Sequence, residues 1–378
     1  MDFQLNEEQN MLKDSVRRFM EDNCAFGQRG ATVDNGAFDG EHWQQLAELG
    51  LLALGLPEDL GGMDCSAIES ALVMEELGRV LCVEPYWAVA VQAAQTLLAT
   101  HDPKARSVLQ AMGQGLALPV LAHEEAAARG ELAYVQMRAF ETAQGRWRVN
   151  GEKVAVVGGN VADLFIVSAR TSGAAGDLEG ITLFLLDAET AGIDKRNVRL
   201  IDNRWASHLV FTNVEATAAQ VLGQVGEGHA ALSSGNAHAM IGLFAEAVGV
   251  MEQALWITRD YLKIRKQFGQ TLSSFQSLQH RMSEMLIELE LSRSMLHLGL
   301  ASLELEQAQR DRALSAVKAH IGKSGQFVCG QAIQLHGGIG VTEEYIIGHY
   351  FKRMTLINAA LGTSMHHYEL LAAAERAA

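Results

Sequence analysis

The sequence predicts a mainly α-helical protein of the α+β class, with a β domain in the middle of the chain. Three observations predict it. Every proline lies at or before Pro119, so none interrupts a long helix later in the chain. Apolar residues recur at helical spacing in the first and last thirds. The middle third instead carries short β-rich runs separated by Gly, Ser and Asp. We expect a helical domain over residues 1–118, a β domain over 119–225 and a four-helix bundle over 226–378.

The first third contains a signal for the start of a helix. The segment Ser66-Ala67-Ile68-Glu69 matches a capping box, and small and apolar residues follow it at helical spacing. Residues 57–62 precede it and read as a turn. Residues 91–113 are rich in Ala and Leu, which favours a second helical stretch.

The middle third contains a strong signal for a hairpin. Asn150-Gly151 lies between two β-like runs, and Asn-Gly accepts the positive φ angles of a tight turn. Three further runs predict strands, at Leu164–Ala169, Ile181–Leu186 and His208–Val214. A small all-β domain accounts for these runs.

The last third predicts four long helices, whose short Gly- or Ser-containing breaks favour antiparallel neighbours. The predicted helices are Met240–Lys263, Ser277–Gln307, Asp311–Leu335 and Leu356–Ala378.

Composition excludes several classes of protein. The 378 residues are 48% apolar and 20% charged, which excludes a disordered chain, and the net charge of −15 argues against a nucleic-acid partner. The four cysteines are far apart, so we expect reduced thiols. The neighbours His366 and His367 point in different directions from a helix, so we expect no metal site. No segment approaches the roughly 20 apolar residues of a membrane span. The acidic N-terminus lacks a signal-peptide pattern, so a bacterial cytoplasm is the expected location.

Glu246 is a candidate catalytic residue. It is the one charged residue in the run Ile241–Met251, and no cation lies three or four positions away on the same helix. A desolvated carboxylate suits a general base or acid, and Gly242 and Gly249 leave room for a ligand. Two other interpretations stay open: Glu246 could lie on a solvent-facing stripe, or it could pair with an arginine from another helix.

Two further segments could bind a ligand. In Ile264–Gln270 one helix is expected to end at Gly269, and the next starts near Phe275. This joint displays Arg265, whose planar guanidinium suits phosphate oxygens, although an ordinary helix corner is the alternative. The segment Gln334–Thr342 carries glycines that permit close approach to a ligand, but by itself it indicates only a loop.

Together these segments resemble the acyl-CoA dehydrogenase family over essentially the whole chain. The most specific stretches are Arg265-Lys266-Gln267-Phe268-Gly269, Ser274-Phe275-Gln276 with Gln279-His280-Arg281, and Gln334-Leu335-His336-Gly337-Gly338-Ile339-Gly340. More narrowly, Ala245–Gly249 and Gly348–Arg353 resemble the small subunit of pimeloyl-CoA dehydrogenase and related bacterial two-subunit enzymes.

The resemblance implies a flavoprotein with the fold of that family, in which FAD lies between the β domain and the C-terminal bundle. A base removes the proton α to the thioester, a hydride leaves to the flavin, and the product is a trans-2-enoyl-CoA. Electrons then pass to an electron-transfer flavoprotein. The resemblance assigns FAD contacts, in part across a subunit interface, to Arg265, Gln267, Phe268, Gln276, Gln334, Gly337, Gly338 and Thr363.

Several departures from the family pattern bear on catalysis. Leu361 stands where many members carry the catalytic glutamate, and a subset of the family places its base on the first bundle helix instead. The resemblance therefore implies Glu246 as the base, while the backbone N–H of Leu361 still polarises the thioester carbonyl. At the two places where the β domain of family members binds the flavin, this chain instead has the segments Ala155-Val156-Val157 and His123–Arg129.

Three interpretations of the function follow. The chain is a dehydrogenase subunit that acts on a bulky or dicarboxylic acyl-CoA in an α2β2 assembly, with Glu246 as its base. Alternatively, it is a non-catalytic partner that completes the FAD site of a second chain, as the altered β-domain motifs suggest. A flavin monooxygenase on the same fold is the third interpretation.

Overall fold

The computed structural model describes residues 4–27, 29–143 and 145–377, and the chain divides into two compact units. Unit 1 comprises Met1–Arg29, Ala71–Cys82 and Met240–Ala378, and unit 2 comprises Gly30–Ser70 and Val83–Ala239. The protein is 56% helical and 17% strand, as the sequence predicts for a mainly α protein.

The helices are α1 Glu7–Asn23, α2 Arg29–Asp34, α3 Gly40–Glu48, α4 Ala67–Val80, α5 Ala94–Ala99, α6 Pro103–Gly113, α7 His229–Ile264, α8 Gln276–Ser302, α9 Gln307–His336, α10 Ile346–Ala359 and α11 Ser364–Ala377. The strands are β1 Pro119–Ala122, β2 Arg138–Ala143, β3 Arg146–Val157, β4 Leu164–Arg170, β5 Ile181–Asp187, β6 Ile193–Arg199, β7 Trp205–Thr217, β8 Val221–Leu222, β9 Lys266–Gln267 and β10 Gln270–Thr271. A π-helical segment, Trp87–Ala93, precedes α5.

Helix α4 begins where its capping residue predicts. The Oγ of Ser66 accepts a hydrogen bond from the N–H of Ile68 at 3.1 Å, and the helix starts at Ala67. The prediction that residues 91–113 are helical is confirmed, and the stretch contains two α-helices. Helix α5 ends at Ala99, and Asp102 caps α6 through the N–H of Lys104.

Unit 1 is built from packed helices. Helix α9 packs against α8, α10 and α11, and the part of α7 that lies in unit 1 is buried over Met240–Met251. The fourth predicted bundle helix is wrong in its bounds. It is broken into α10 and α11 at residues 360–363, where Leu361 adopts a left-handed backbone with φ +55°. The predicted end of that helix, Ala378, lies outside the described residues.

Helix α7 is long and apolar enough to cross a membrane by length and composition, contrary to the expectation that no segment approaches this limit. However, 78% of its most apolar 18-residue window is buried inside the protein. Such burial is what the core helix of a globular fold shows.

In the described part of unit 2, eight strands form one sheet with the order β6-β7-β3-β2-β4-β5-β8, and β1 pairs in parallel with β4. The strands predicted at Leu164–Ala169, Ile181–Leu186 and His208–Val214 are present within β4, β5 and β7.

The hairpin predicted at Asn150-Gly151 is wrong. Strand β3 runs continuously from Arg146 to Val157, and the strand register against β7 shifts between Val149 and Gly151. Gly151 has φ +146°, and a Cβ atom there would lie within 3 Å of Met137. The glycine therefore serves a bulge with close packing, which is the other use of glycine inside a strand.

Candidate functional site

Glu246 is buried in unit 1 and is paired with an arginine. Its side chain lies on α7 and is 1% exposed. Its Oε1 accepts from Nε of Arg353 at 2.7 Å, and its Oε2 accepts from Nη2 at 2.5 Å. Arg353 reaches Glu246 from α10, so the alternative of an arginine from another helix is confirmed, and the alternative of a solvent-facing stripe is wrong.

The glycines beside Glu246 make room for a helix. A Cβ atom on Gly249 would lie 2.0 Å from the backbone oxygen of Glu75, and one on Gly242 would contact Met74 at 3.5 Å. Both neighbours belong to α4. The space that we expected for a ligand is therefore filled on this side by α4.

The predicted helix end at Gly269 is also wrong. Helix α7 ends at Ile264, and β9 and β10 then form a short antiparallel hairpin. Its two turn residues, Phe268 and Gly269, have φ +54° and +82°, the backbone of a type I′ turn. This turn presents Phe268 with 90% of its surface exposed, and Arg265, Gln267 and Gln276 are exposed as well.

The C-terminal part of α7, which leads into this hairpin, contacts the end of α9. The ring of Tyr261 near the end of α7 stacks on the ring of His336, with centroids 4.3 Å apart, and its hydroxyl donates to the His336 carbonyl at 3.3 Å. Gln334 precedes His336, and Gly337 and Gly338 follow it. All three residues are exposed. This contact joins the C-terminal part of α7, which leads into the hairpin, to the end of α9, which carries these glycines.

His336 carries a buried nitrogen without a partner among the described residues. Its Nδ1 hydrogen-bonds to the Ala332 carbonyl at 2.8 Å, so Nδ1 is the donor, while Nε2 finds no donor in the described chain. Burial lowers the pKa of His336, which favours its neutral form.

The break between α10 and α11 is held by two buried side chains. The ammonium of Lys318 on α9 donates to the carbonyls of Ile357 and Ala360, both at 2.6 Å. The ring of His367 donates through Nε2 to the Leu361 carbonyl at 3.0 Å. A bulky residue with positive φ costs on the order of 1 kcal/mol, so surrounding contacts must maintain the conformation of Leu361.

The break between α10 and α11 leaves successive backbone N–H groups without an acceptor among the described residues. Within the described residues, the N–H groups of Leu361, Gly362 and Thr363 make no hydrogen bond, whereas the next one, of Ser364, donates to Asn358 Oδ1 at 3.2 Å. Successive free N–H groups around a left-handed residue are suited to bind an oxygen atom of a ligand.

Burial governs the charge of the two residues that hold this break. Burial, with the nearby Arg353 as the second cause, lowers the pKa of Lys318 to about 7. Burial also lowers the pKa of His367 to about 4, partly offset by its hydrogen bond to the Leu361 carbonyl. His367 is therefore neutral at neutral pH.

Unit 2 contains a separate buried polar cluster around Lys153. Its ammonium donates to Glu125 at 2.8 Å, to the Ser168 hydroxyl at 3.0 Å and to the His123 carbonyl at 3.0 Å. The His123 ring hydrogen-bonds to the same hydroxyl at 2.8 Å, and burial lowers the pKa of His123 to about 3. The cluster joins the segment after β1 to β3 and β4.

Three residues of the site in unit 1 are absent from the sequence-based prediction as site residues: Lys318, Arg353 and His367. The position of Lys318 in the apolar helical pattern of α9, four residues after Leu314 and three before Ile321, was an available signal. No local pattern indicates that Arg353 pairs with a residue 107 positions away. In the described residues no group of three or more His, Cys, Asp or Glu side chains could hold a metal ion.

Three family models match this chain in order. The acyl-CoA dehydrogenase N-terminal domain matches residues 6–108, the middle domain matches 121–214, and the C-terminal domain matches 226–375.

Known proteins of similar length also align over nearly the whole chain. A probable acyl-CoA dehydrogenase of Bacillus subtilis, YngJ, is 28% identical over 96% of this chain and 97% of its own. The cyclohex-1-ene-1-carbonyl-CoA dehydrogenase of Geobacter metallireducens is 28% identical over 95% and 96%. The solved structure of a variant of the Tcur3481-Tcur3483 steroid ACAD is 29% identical, with a TM-score of 0.88, over 98% of this chain and 99% of that one.

Proposed function

This chain belongs to the acyl-CoA dehydrogenase family, and we propose that it serves α,β-dehydrogenation of an acyl-CoA to a trans-2-enoyl-CoA as one subunit of a hetero-oligomer. Members of the family are FAD-dependent oxidoreductases that act on acyl-CoA. Bound FAD would supply the acceptor for the hydride that leaves the β carbon.

The role that we propose for this chain is to complete the FAD site of an adjacent subunit. Exposed groups suited to a cofactor support this role. Arg265 can bind a phosphate through its guanidinium, and Phe268 offers a largely exposed ring for stacking. At Gly337 and Gly338 a Cβ atom would meet nothing within 4 Å, so the backbone there is open to a ligand. Gln267, Gln276, Gln334 and Thr363 are further exposed polar candidates.

The observation that carries this choice is the ion pair of Glu246 with Arg353. A base must present a free carboxylate oxygen to the proton that it removes. Arg353 contacts both oxygens of Glu246, and the pair is almost fully buried. We therefore assign the proton-abstracting carboxylate to the second chain.

The role of Glu246 as the catalytic base remains the second candidate. The position of Glu246 favours this role. Glu246 contacts Arg353, and Arg353 is near enough to Lys318 to lower its pKa. Lys318 in turn holds the loop of Leu361 through the Ala360 carbonyl. In this role Arg353 would have to release one oxygen of Glu246 when the substrate binds.

The substrate class that we propose is a bulky or dicarboxylic acyl-CoA. The Geobacter relative is named for a cyclic acyl group. The similar solved structure is named for a steroid, and its name combines two protein designations, Tcur3481 and Tcur3483. An electron-transfer flavoprotein is the proposed electron acceptor, and a bacterial cytoplasm is the proposed location. The Bacillus relative supports the bacterial part of this proposal.

The test of the base uses the complex of this chain with its partner. Glu246→Gln should leave turnover of the acyl-CoA within about twofold of wild type if the partner supplies the base, with exposed Glu369→Gln as the control. Loss of at least about 100-fold in turnover, with FAD content unchanged, would instead assign the base to Glu246.

The test of the cofactor role counts flavin. Phe268→Ala should reduce the FAD bound per complex, because an exposed stacking surface is removed. Phe140→Ala is the matched control, since Phe140 is 59% exposed but lies on β2. Equal FAD content in the two variants would contradict the proposed contact.

A further inference from the structure

We infer that Lys318 and His367 are positioning residues that hold the backbone N–H of Leu361 toward the thioester carbonyl oxygen of an acyl-CoA. This inference rests on the proposed function in the form of its second candidate, in which this chain binds an acyl-CoA itself, because it takes the loop of residues 360–363 as part of an acyl-CoA site. Neither side chain touches the substrate in this assignment. Each acts through the backbone of the loop.

Lys318 fixes the entry to the loop. Its side chain is 2% exposed, and its ammonium bridges the carbonyls of Ile357 and Ala360. These carbonyls belong to the last turn of α10 and to the residue after it, which would otherwise have no partner where the helix ends. The bridge therefore sets the direction in which the chain leaves α10.

His367 fixes the loop from the other side. Its Nδ1 lies 3.1 Å from the hydroxyl of Ser315, which donates to it, so Nε2 carries the proton and donates to the Leu361 carbonyl. A Cβ atom on Gly362 would lie 2.9 Å from this nitrogen, so the ring closes directly against the glycine.

These contacts engage the carbonyls of the loop and leave its N–H groups available. The Ala360 and Leu361 carbonyls both accept from buried side chains, while the N–H groups of Leu361 and Gly362 find no acceptor in the described residues. When the α proton of a thioester moves to a base, the C–H electron pair becomes an enolate whose charge rests on the carbonyl oxygen. A fixed N–H donor at that oxygen stabilises the enolate.

The test measures enolisation of a bound ligand rather than turnover. Acetoacetyl-CoA is added to the FAD-loaded complex, and its conversion to the enolate is followed by absorbance across a pH series. This reaction needs no hydride transfer, so it reports carbonyl stabilisation directly. We expect Lys318→Met and His367→Leu each to reduce the enolisation equilibrium of the ligand at this chain's site by about tenfold.

Two further variants separate positioning from folding. His367→Gln keeps an N–H donor for the Leu361 carbonyl and should restore most of the enolisation that His367→Leu loses. Lys323→Met changes an exposed lysine on the same helix and should have no effect. Unchanged enolisation in both Lys318→Met and His367→Leu overturns the inference and leaves the proposed function standing. Failure of acetoacetyl-CoA to bind the wild-type complex overturns the proposed function, and the inference with it.

Discussion

Gly249 on α7 lies against the backbone oxygen of Glu75 on α4, and a Cβ atom at this glycine would come within 2.0 Å of that oxygen. The same crossing uses Gly78, whose Cβ would lie 2.3 Å from the backbone oxygen of Glu246. The two helices thus approach at backbone distance. This close approach places Glu246 beneath α4.

The first prediction concerns this crossing. Gly249→Ala should destabilise the protein by about 3 kcal/mol or more, because backbone atoms cannot move aside as a flexible side chain can. The measurement is urea-induced unfolding followed by circular dichroism.

The matched control lies on the same helix. At Gly242 a Cβ atom would make an ordinary contact with Met74, so Gly242→Ala should be neutral or stabilise by up to about 1 kcal/mol through helix propensity. A loss of stability in Gly249→Ala no larger than that in Gly242→Ala would contradict the approach of the two helices at backbone distance.

The second prediction concerns the ion pair. Glu246→Gln or Arg353→Met alone should each lower the free energy of unfolding by about 3 kcal/mol. Each substitution removes one charge of the pair and leaves the opposite charge buried without compensation. The double variant Glu246→Gln/Arg353→Met should lose clearly less than the sum.

A double-mutant cycle in urea measures this coupling. Additive losses would mean that the two side chains do not interact, contrary to the distances of 2.7 and 2.5 Å. The cycle tests stability only, so it is independent of which chain carries the base.

The third prediction concerns acid. The pKa of His367 is about 4 in the folded protein, below its ordinary value of 6.5, because the ring is buried. Between these pH values the unfolded chain binds a proton that the folded chain does not, so stability falls as the pH falls from 6.5 to 4. His367→Gln should flatten this part of the stability profile by about 3 kcal/mol at most.

Exposed His280→Gln is the control and should leave the profile unchanged. His123, with a pKa of about 3, contributes a loss of the same sign in unit 2. If the profile of His367→Gln runs parallel to that of wild type, the pKa of His367 does not differ between the folded and the unfolded chain, contrary to the prediction.

The fourth prediction concerns alkaline pH. The pKa of Lys318 is about 7, against its ordinary 10.5, because of burial and the nearby Arg353. Between these values only the unfolded chain holds the proton, so Lys318 makes stability rise with pH from 7 to 10.5.

Lys318→Met should remove this rise, whose slope is about 1.4 kcal/mol per pH unit at most, whereas exposed Lys323→Met should keep it. Urea unfolding of both variants over this pH range measures the difference. An equal slope in Lys318→Met and wild type would show that the rise of stability with pH does not come from Lys318.

Part of the site was accessible from sequence because it depends on local patterns. The Arg265–Gly269 and Gln334–Gly338 segments are motifs whose residues follow one another. The structure exposes Arg265–Gly269 and, in the second segment, Gln334, Gly337 and Gly338, whereas Leu335 and His336 are buried. The strands of β4, β5 and β7 followed from β-rich runs in the same way.

Local patterns were misleading where two structures share one signal. Asn150-Gly151 is compatible with a tight turn and with a bulge, and only the pairing of β3 with β7 over its whole length decides between them. The lone charge of Glu246 was likewise compatible with a base and with an ion pair.

The sequence by itself determined the mainly helical fold with its central β domain, because hydrophobic periodicity and proline placement act over a few neighbouring residues. The tertiary structure alone decided which charge faces Glu246 and what holds Leu361 in place. Arg353, Lys318 and His367 come from other helices, and which helices meet depends on packing of the whole unit.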